Sequence, residues 1–130
     1  EAALTAFLDG APGKITTLYR RDREMVIRVR DLLRAALPDT LSLDDIAARL
    51  YLSPRTIHRR LEEEGSSFRG IKDALRRDMA LSRLTKTRDS ISQVAADLGY
   101  ADNSAFYRAF VEWTGMAPVH YRRKWAGKSA

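Results

Sequence analysis

The chain has 130 residues, of which 45% are apolar and 31% charged, and its net charge is +6. These values describe an ordinary soluble globular chain of one domain or two small ones, and the basic balance favours a polyanionic partner. The absence of cysteine excludes disulfides, thiolate zinc sites and cysteine nucleophiles, and no apolar run approaches the roughly 18 residues needed to span a bilayer.

Residues 1–20 are expected to be a linker or the tail of an upstream domain. Leu4, Phe7 and Leu8 could form a helical turn, which Asp9-Gly10-Ala11-Pro12-Gly13 then breaks. Glu1 in place of an initiator methionine reads as a fragment of something longer. A first helix is predicted from about Asp22 to Leu37, with Met25, Val29, Leu32, Leu33 and Leu37 at helical spacing and Pro38-Asp39 ending it. Ser42 is a natural N-cap for a short helix through Ile46, Ala47 and Leu50, and Asp45 partly mimics a capping box. Tyr51-Leu52 makes a turn. Ser53 caps the next helix and Pro54 takes its first position, where a missing N–H is harmless. Gly65 is its stop.

A long helix is predicted from about Phe68 to Thr85, with the apolar stripe Ile71, Leu75, Met79, Leu84. At 1.5 Å per residue it would be a rod of roughly 27 Å. Residues 66–88 carry seven Lys/Arg against two acids, whereas residues 89–115 carry only Arg108 against four. A phosphate-binding face is therefore expected to involve the middle of the chain rather than its last repeat alone. Ser90 and Gln93 form a second capping box. Gly99-Tyr100-Ala101 turns the chain into a helix from about Asn103 to Thr114, which Gly115 ends. Pro118 opens a last helix through Tyr121 and Trp125. No strand pattern occurs, so the fold class is all-α with about seven helices.

Two stretches repeat. Ser42 to Leu50 recurs as Ser90 to Leu98 at an offset of 48, and Ile57-x-Arg59-x-Leu61 recurs as Phe106-x-Arg108-x-Phe110 at an offset of 49. Each copy holds a capped helix, a short break, and a second helix with one polar face. That is the layout of a helix-turn-helix, whose second helix can enter a DNA major groove. The expected organisation is a first such subdomain over 21–65, a connecting helix over 66–88 and a second subdomain over 89–130. A rigid spacer of that length could hold the two second helices about one DNA turn apart, so that they read successive grooves.

Periodicity picks out the residues that would touch DNA. With Ile57 and Leu61 buried, Arg55, His58 and Arg59 share the opposite face of the first recognition helix with Glu62. Glu62-Glu63-Glu64 crowd its C-terminal end, which should tilt away from phosphates. With Phe106 and Phe110 buried, Asn103, Ser104, Tyr107 and Arg108 lie on the exposed side of the second. Arg can bond guanine bidentately and Asn adenine. Ser53, Thr56, Arg60, Ser66, Ser67 and Arg76 are candidates for contact with the DNA backbone.

The run Gly99 to Arg122 resembles the signature of the AraC/XylS family of bacterial transcription regulators: Gly-aromatic, Ser-x-Phe-x-Arg-x-Phe, then Gly-x-x-Pro-x-x-Tyr-Arg. Ser53 to Leu61 matches the family's first helix-turn-helix, and Leu75-Arg76 through Ala80 and Leu84 its connecting helix. The resemblance covers about residues 25–124. It implies two helix-turn-helix units inserting into adjacent major grooves of double-stranded DNA, and the same groove-facing residues, Arg55, His58, Arg59, Asn103, Ser104, Tyr107 and Arg108. It also implies transcription regulation, leaning to activation with RNA polymerase as a further partner. A small-molecule effector would act only through an N-terminal domain missing from this sequence. Two departures are visible. Tyr51 stands in the slot of Gly99, where a positive φ would be strained. Leu61 to Gly65 is one residue shorter than Phe110 to Gly115.

An enzymatic reading finds little support. His58 and His120 are the only histidines, and neither sits in a metal-ligand pattern. No metal, cofactor or membrane partner is expected; the fragment is expected to be cytoplasmic and monomeric. A protein-interaction module and a sequence-neutral architectural DNA binder remain as alternatives, the latter distinguished by a specificity ratio near unity.

Overall fold

A computed structural model describes residues 23–126 of the chain. The expected tail over residues 1–20 lies outside these described residues. Seven helices and no strand occur among them: α1 (Glu24–Ala36), α2 (Leu43–Leu50), α3 (Pro54–Glu63), α4 (Phe68–Lys86), α5 (Ile91–Asp97), α6 (Asn103–Thr114) and α7 (Pro118–Trp125). The all-α expectation holds, and the recognition helix expected over Asn103–Thr114 has those limits. No helix among the described residues is long and apolar enough to cross a membrane.

The helix ends follow from their cap residues. Ser53 Oγ accepts the N–H of Thr56 at 3.0 Å, with Pro54 at the first position of α3. Past the end of α3, Gly65 takes φ 76°; its N–H reaches Glu62 O at 2.9 Å, and that of Ser66 reaches Leu61 O at 2.8 Å. Glycine at that position satisfies the orphan carbonyls without Cβ strain. Ser67 Oγ accepts from Gly70 N at the start of α4, and Asp102 Oδ1 accepts from Ala105 N at 2.8 Å at the start of α6. The second capping box is only half made. Ser90 Oγ accepts from Gln93 N at 3.0 Å, but the Gln93 amide donates forward to Asp97 Oδ1 at 2.8 Å, an i,i+4 contact along α5.

The described chain divides into two compact units. One comprises residues 23–32 and Leu43–Ile71; the other comprises Leu33–Ser42 and residues 72–126. In the first, α2 packs on α3, and Met25, Val26, Val29, Ile46, Ala47, Ile57, Leu61 and Ile71 are buried. In the second, Ala80, Leu84, Val94, Ala95, Leu98, Phe106 and Phe110 form one apolar core, with Leu37, Met79, Tyr100 and Tyr121 packed against it. Rings run through this core from Tyr100 to Phe106 (5.4 Å between centroids), to Phe110 (5.7 Å), to Tyr121 (5.3 Å). Tilted and edge-on pairs at such distances suit the ring quadrupoles.

The two helix-helix turns are built alike. Leu52 N–H donates to Ala47 O, and Tyr51 N–H to Ala48 O; 48 residues on, Tyr100 donates to Ala95 O and Gly99 to Ala96 O. Ala47 and Ala95 are both buried, as two helices meeting at a tight turn require. The residue in the slot between is left-handed each time, φ 57° at Tyr51 and 88° at Gly99. The strain read from the sequence at Tyr51 is therefore real.

Candidate nucleic-acid interface

On α3 the apolar side is Ile57 and Leu61, both fully buried, and Arg55, His58 and Arg59 stand exposed. His58 Nε2 lies 3.5 Å from Glu62 Oε2, and Arg59 Nη1 lies 3.7 Å from Glu63 Oε2. Both are solvated i,i+4 contacts, and the Arg59–Glu63 ion pair is of about 0.3–0.5 kcal/mol. Such contacts are weak enough for Arg59 to release its acid when a stronger anion arrives. Glu64 does something different from its two neighbours. Its carboxylate turns back to α1 and accepts the N–H groups of Met25 and Val26 at 2.9 and 2.8 Å. The three acids are thus one helix cap and two partners of exposed recognition-helix side chains.

On α6, Phe106 and Phe110 are fully buried, and Asn103, Ser104, Tyr107 and Arg108 are exposed. These four side chains line one shallow concavity. Asp102 fixes the start of the helix, and Gly115 closes its end in a left-handed conformation, φ 80°. Asn103 Nδ2 donates to Ser92 Oγ of α5 at 2.7 Å.

The expected backbone-contacting residues divide by what already occupies them. Arg60 is exposed and Ser66 half-buried. Ser53 Oγ caps α3 and donates to Thr56 Oγ1 at 2.9 Å, and Ser67 Oγ caps α4. The Arg76 guanidinium sits 4.5 Å from the centre of the Tyr100 ring. Burial raises the Tyr100 phenol above its ordinary pKa, while the charge and hydrogen bond of Arg76 oppose that rise.

Arg83 contributes to internal pairing rather than to a phosphate-binding face. It bonds Asp89 Oδ2 through Nη2 at 2.8 Å and through Nε at 3.1 Å, and Asp97 Oδ2 through Nη1 at 2.9 Å. Burial works against its charge, but the hydrogen bonds and charges of Asp89 and Asp97 together outweigh it and raise its pKa. The Arg83 hydrogen bond holds the Asp89 carboxyl below the usual carboxylate range. Arg122 donates from Nε to Leu84 O at 3.0 Å, covering an orphan carbonyl in the last turn of α4. Among the described residues no group of three or more His, Asp or Glu is placed to hold a metal ion.

Glu64, Ser92, Asp102 and Arg122 were not singled out by sequence periodicity. Asp102 carried a usable signal, an N-cap residue directly before the helix. Arg122 stands at the end of the Gly-x-x-Pro-x-x-Tyr-Arg motif. Glu64 and Ser92 act on partners 38 and 11 residues away, separations that no local pattern encodes.

The helix-turn-helix domain family matches residues 46–124. An ornithine utilization regulator from Pseudomonas aeruginosa is 37% identical over 120 residues, which is 92% of this chain and 32% of that protein. A DNA-binding transcriptional dual regulator from Escherichia coli K-12 superposes with a TM-score of 0.72 at 29% identity, covering 77% of this chain and 90% of that structure. The DNA-binding domain of AdpA, solved in complex with a target DNA, superposes with a TM-score of 0.64 at 25% identity, covering 80% and 91%. The chain spans between about a quarter and a half of the length of the curated relatives it matches. It belongs to the AraC-type helix-turn-helix family of transcriptional regulators.

Proposed function

We propose that this chain binds double-stranded DNA in a sequence-specific manner to regulate transcription. In this reading α3 and α6 each enter one of two successive major grooves. One observation carries the proposal. Asn103, Ser104, Tyr107 and Arg108 line a single exposed concavity on a helix whose other side, Phe106 and Phe110, is fully buried. The arrangement of Arg55, His58 and Arg59 opposite Ile57 and Leu61 on α3 follows the same plan. Exposed polar side chains on a helix locked by its buried face are what direct readout of base edges requires. The AdpA domain's target-DNA complex supports the same role by analogy of fold.

Arg55, His58 and Arg59 contact bases through the first helix, and Asn103, Ser104, Tyr107 and Arg108 through the second. Arg60 and Ser66 are the backbone contacts with side chains most available for it. Ser53, Thr56, Ser67 and Arg76 would serve from positions they already hold. The role is binding, not catalysis. Because each unit carries its own recognition helix, a monomer suffices for two grooves. Activation through contact with RNA polymerase, and effector control through a further domain, extend the same reading to the whole protein.

Selecting tight duplexes from a randomised DNA pool, then mapping guanine-N7 methylation interference on the winner, tests the assignment. Two interference clusters about 10 base pairs apart are expected. A single cluster, or no interference from guanine-N7 methylation, contradicts it.

A further inference from the structure

Asn103 is the first residue of α6, and its environment is more constrained than exposure alone suggests. Its backbone is pinned by the neighbouring Asp102 cap, whose Oδ1 takes the N–H of Ala105 at 2.8 Å. Its side chain reaches out of its own helix to Ser92 Oγ, near the start of α5, at 2.7 Å. α5 is itself locked: Val94 and Ala95 are buried, Ser90 caps it, and Asp97 is held by Arg83 and Gln93. Ser92 therefore presents its hydroxyl to Asn103 from a fixed stretch of backbone.

A carboxamide has two N–H donors and one carbonyl acceptor. Ser92 uses one N–H of Asn103. The remaining N–H and the Oδ1 stay free beside Ser104, Tyr107 and Arg108, and a donor-acceptor pair of that kind complements the N7 and N6–H₂ edge of adenine. An amide that turns freely about its side-chain bonds must be immobilised when it binds a base, and prior immobilisation removes that penalty.

We propose that Ser92 is a positioning residue for DNA recognition: it holds the Asn103 amide ready for one base edge and so sets specificity at one base pair without touching that base. This rests on the reading of Asn103 as a base contact.

The test uses the duplex selected by the wild-type chain and its single-base-pair variants. Affinities are measured for the wild type, Ser92→Ala, Ser92→Thr, Asn103→Ala and the Ser92→Ala/Asn103→Ala double variant. Asn103→Ala should abolish preference at one base pair. Ser92→Ala should reduce preference at that same pair by about three- to tenfold, and elsewhere leave discrimination unchanged. Ser92→Thr keeps the hydroxyl and should keep the preference. The double variant should discriminate no worse than Asn103→Ala, because both changes act through one contact. A loss from Ser92→Ala that is equal at every sequence would make Ser92 a phosphate contact and overturn the proposal. So would full discrimination in Ser92→Ala, or additive losses in the double variant. If Asn103→Ala alone keeps all preferences, Asn103 is not a base contact; that failure is visible without the Ser92 variants and removes the proposal with it.

Discussion

The Glu64 carboxylate accepts the Val26 N–H at 2.8 Å and, through its other oxygen, that of Met25 at 2.9 Å. An acid at the end of the recognition helix thus caps the first turn of α1, where free N–H groups and the helix dipole favour negative charge. Glu64→Ala should lower stability by about 1–2 kcal/mol. Glu62→Ala and Glu63→Ala, each removing an exposed i,i+4 partner, should cost under about 0.5 kcal/mol. Denaturant melts of the three variants decide this, and equal losses would return Glu64 to the status of its neighbours.

Arg59 stands 3.7 Å from Glu63 on the exposed side of α3. As a base contact, Arg59→Ala should weaken specific binding by about 1–3 kcal/mol, concentrated at one base pair. Glu63→Gln should act the other way, tightening binding to all duplexes and lowering the ratio of specific to non-specific affinity. A loss from Arg59→Ala that is the same on every sequence would reassign it to the phosphates.

The slot shared by Tyr51 and Gly99 gives opposite expectations for the two turns. Tyr51 is left-handed and 93% exposed, so Tyr51→Gly relieves backbone strain and forfeits almost no packing. Stability should rise by up to about 1 kcal/mol. Gly99→Ala would put a Cβ 2.8 Å from both Pro38 O and Thr40 Cγ2, on a backbone at φ 88°. It should destabilise by about 1–3 kcal/mol. Thermal melts that ranked the two changes in the reverse order would refute this account of the turns.

Asp89 has its pKa lowered, first by the Arg83 hydrogen bond. A carboxyl with a depressed folded-state pKa contributes stability that is present above its unfolded pKa, about 3.9, and lost as pH falls through the lower folded value. The wild type's advantage over Arg83→Met should therefore be full at neutral pH and shrink as pH drops below about 4. Melting temperatures at several pH values for both proteins measure it, and a constant difference across that range would show that the pairing contributes nothing.

Much of this was legible in the sequence because helical period, caps and glycine stops are local signals. Spacing alone places Ile57, Leu61, Phe106 and Phe110 in the core, and it puts Asn103, Ser104, Tyr107 and Arg108 together on one face for the same reason. Cation assignments were less legible. Arg83 and Arg76 read as free positive charge on a basic helix, yet one is bonded to Asp89 and Asp97 and the other lies over Tyr100. Charge counting cannot tell a solvated cation from a paired one, since the partner is fixed by packing. The capping box at Ser90 failed in its second half because Gln93 had a nearer acceptor in Asp97.

Sequence-specific recognition of duplex DNA by this chain, without a small molecule, is best measured by titrating the selected duplex and a scrambled duplex of equal length at several salt concentrations. Affinity for the selected duplex should lie about 10³-fold or more above that for the scrambled one. With roughly six phosphates neutralised, log K should fall against log salt with a slope near −5. Equal affinity for the two duplexes, a flat salt response, or binding that requires an added metabolite would contradict it.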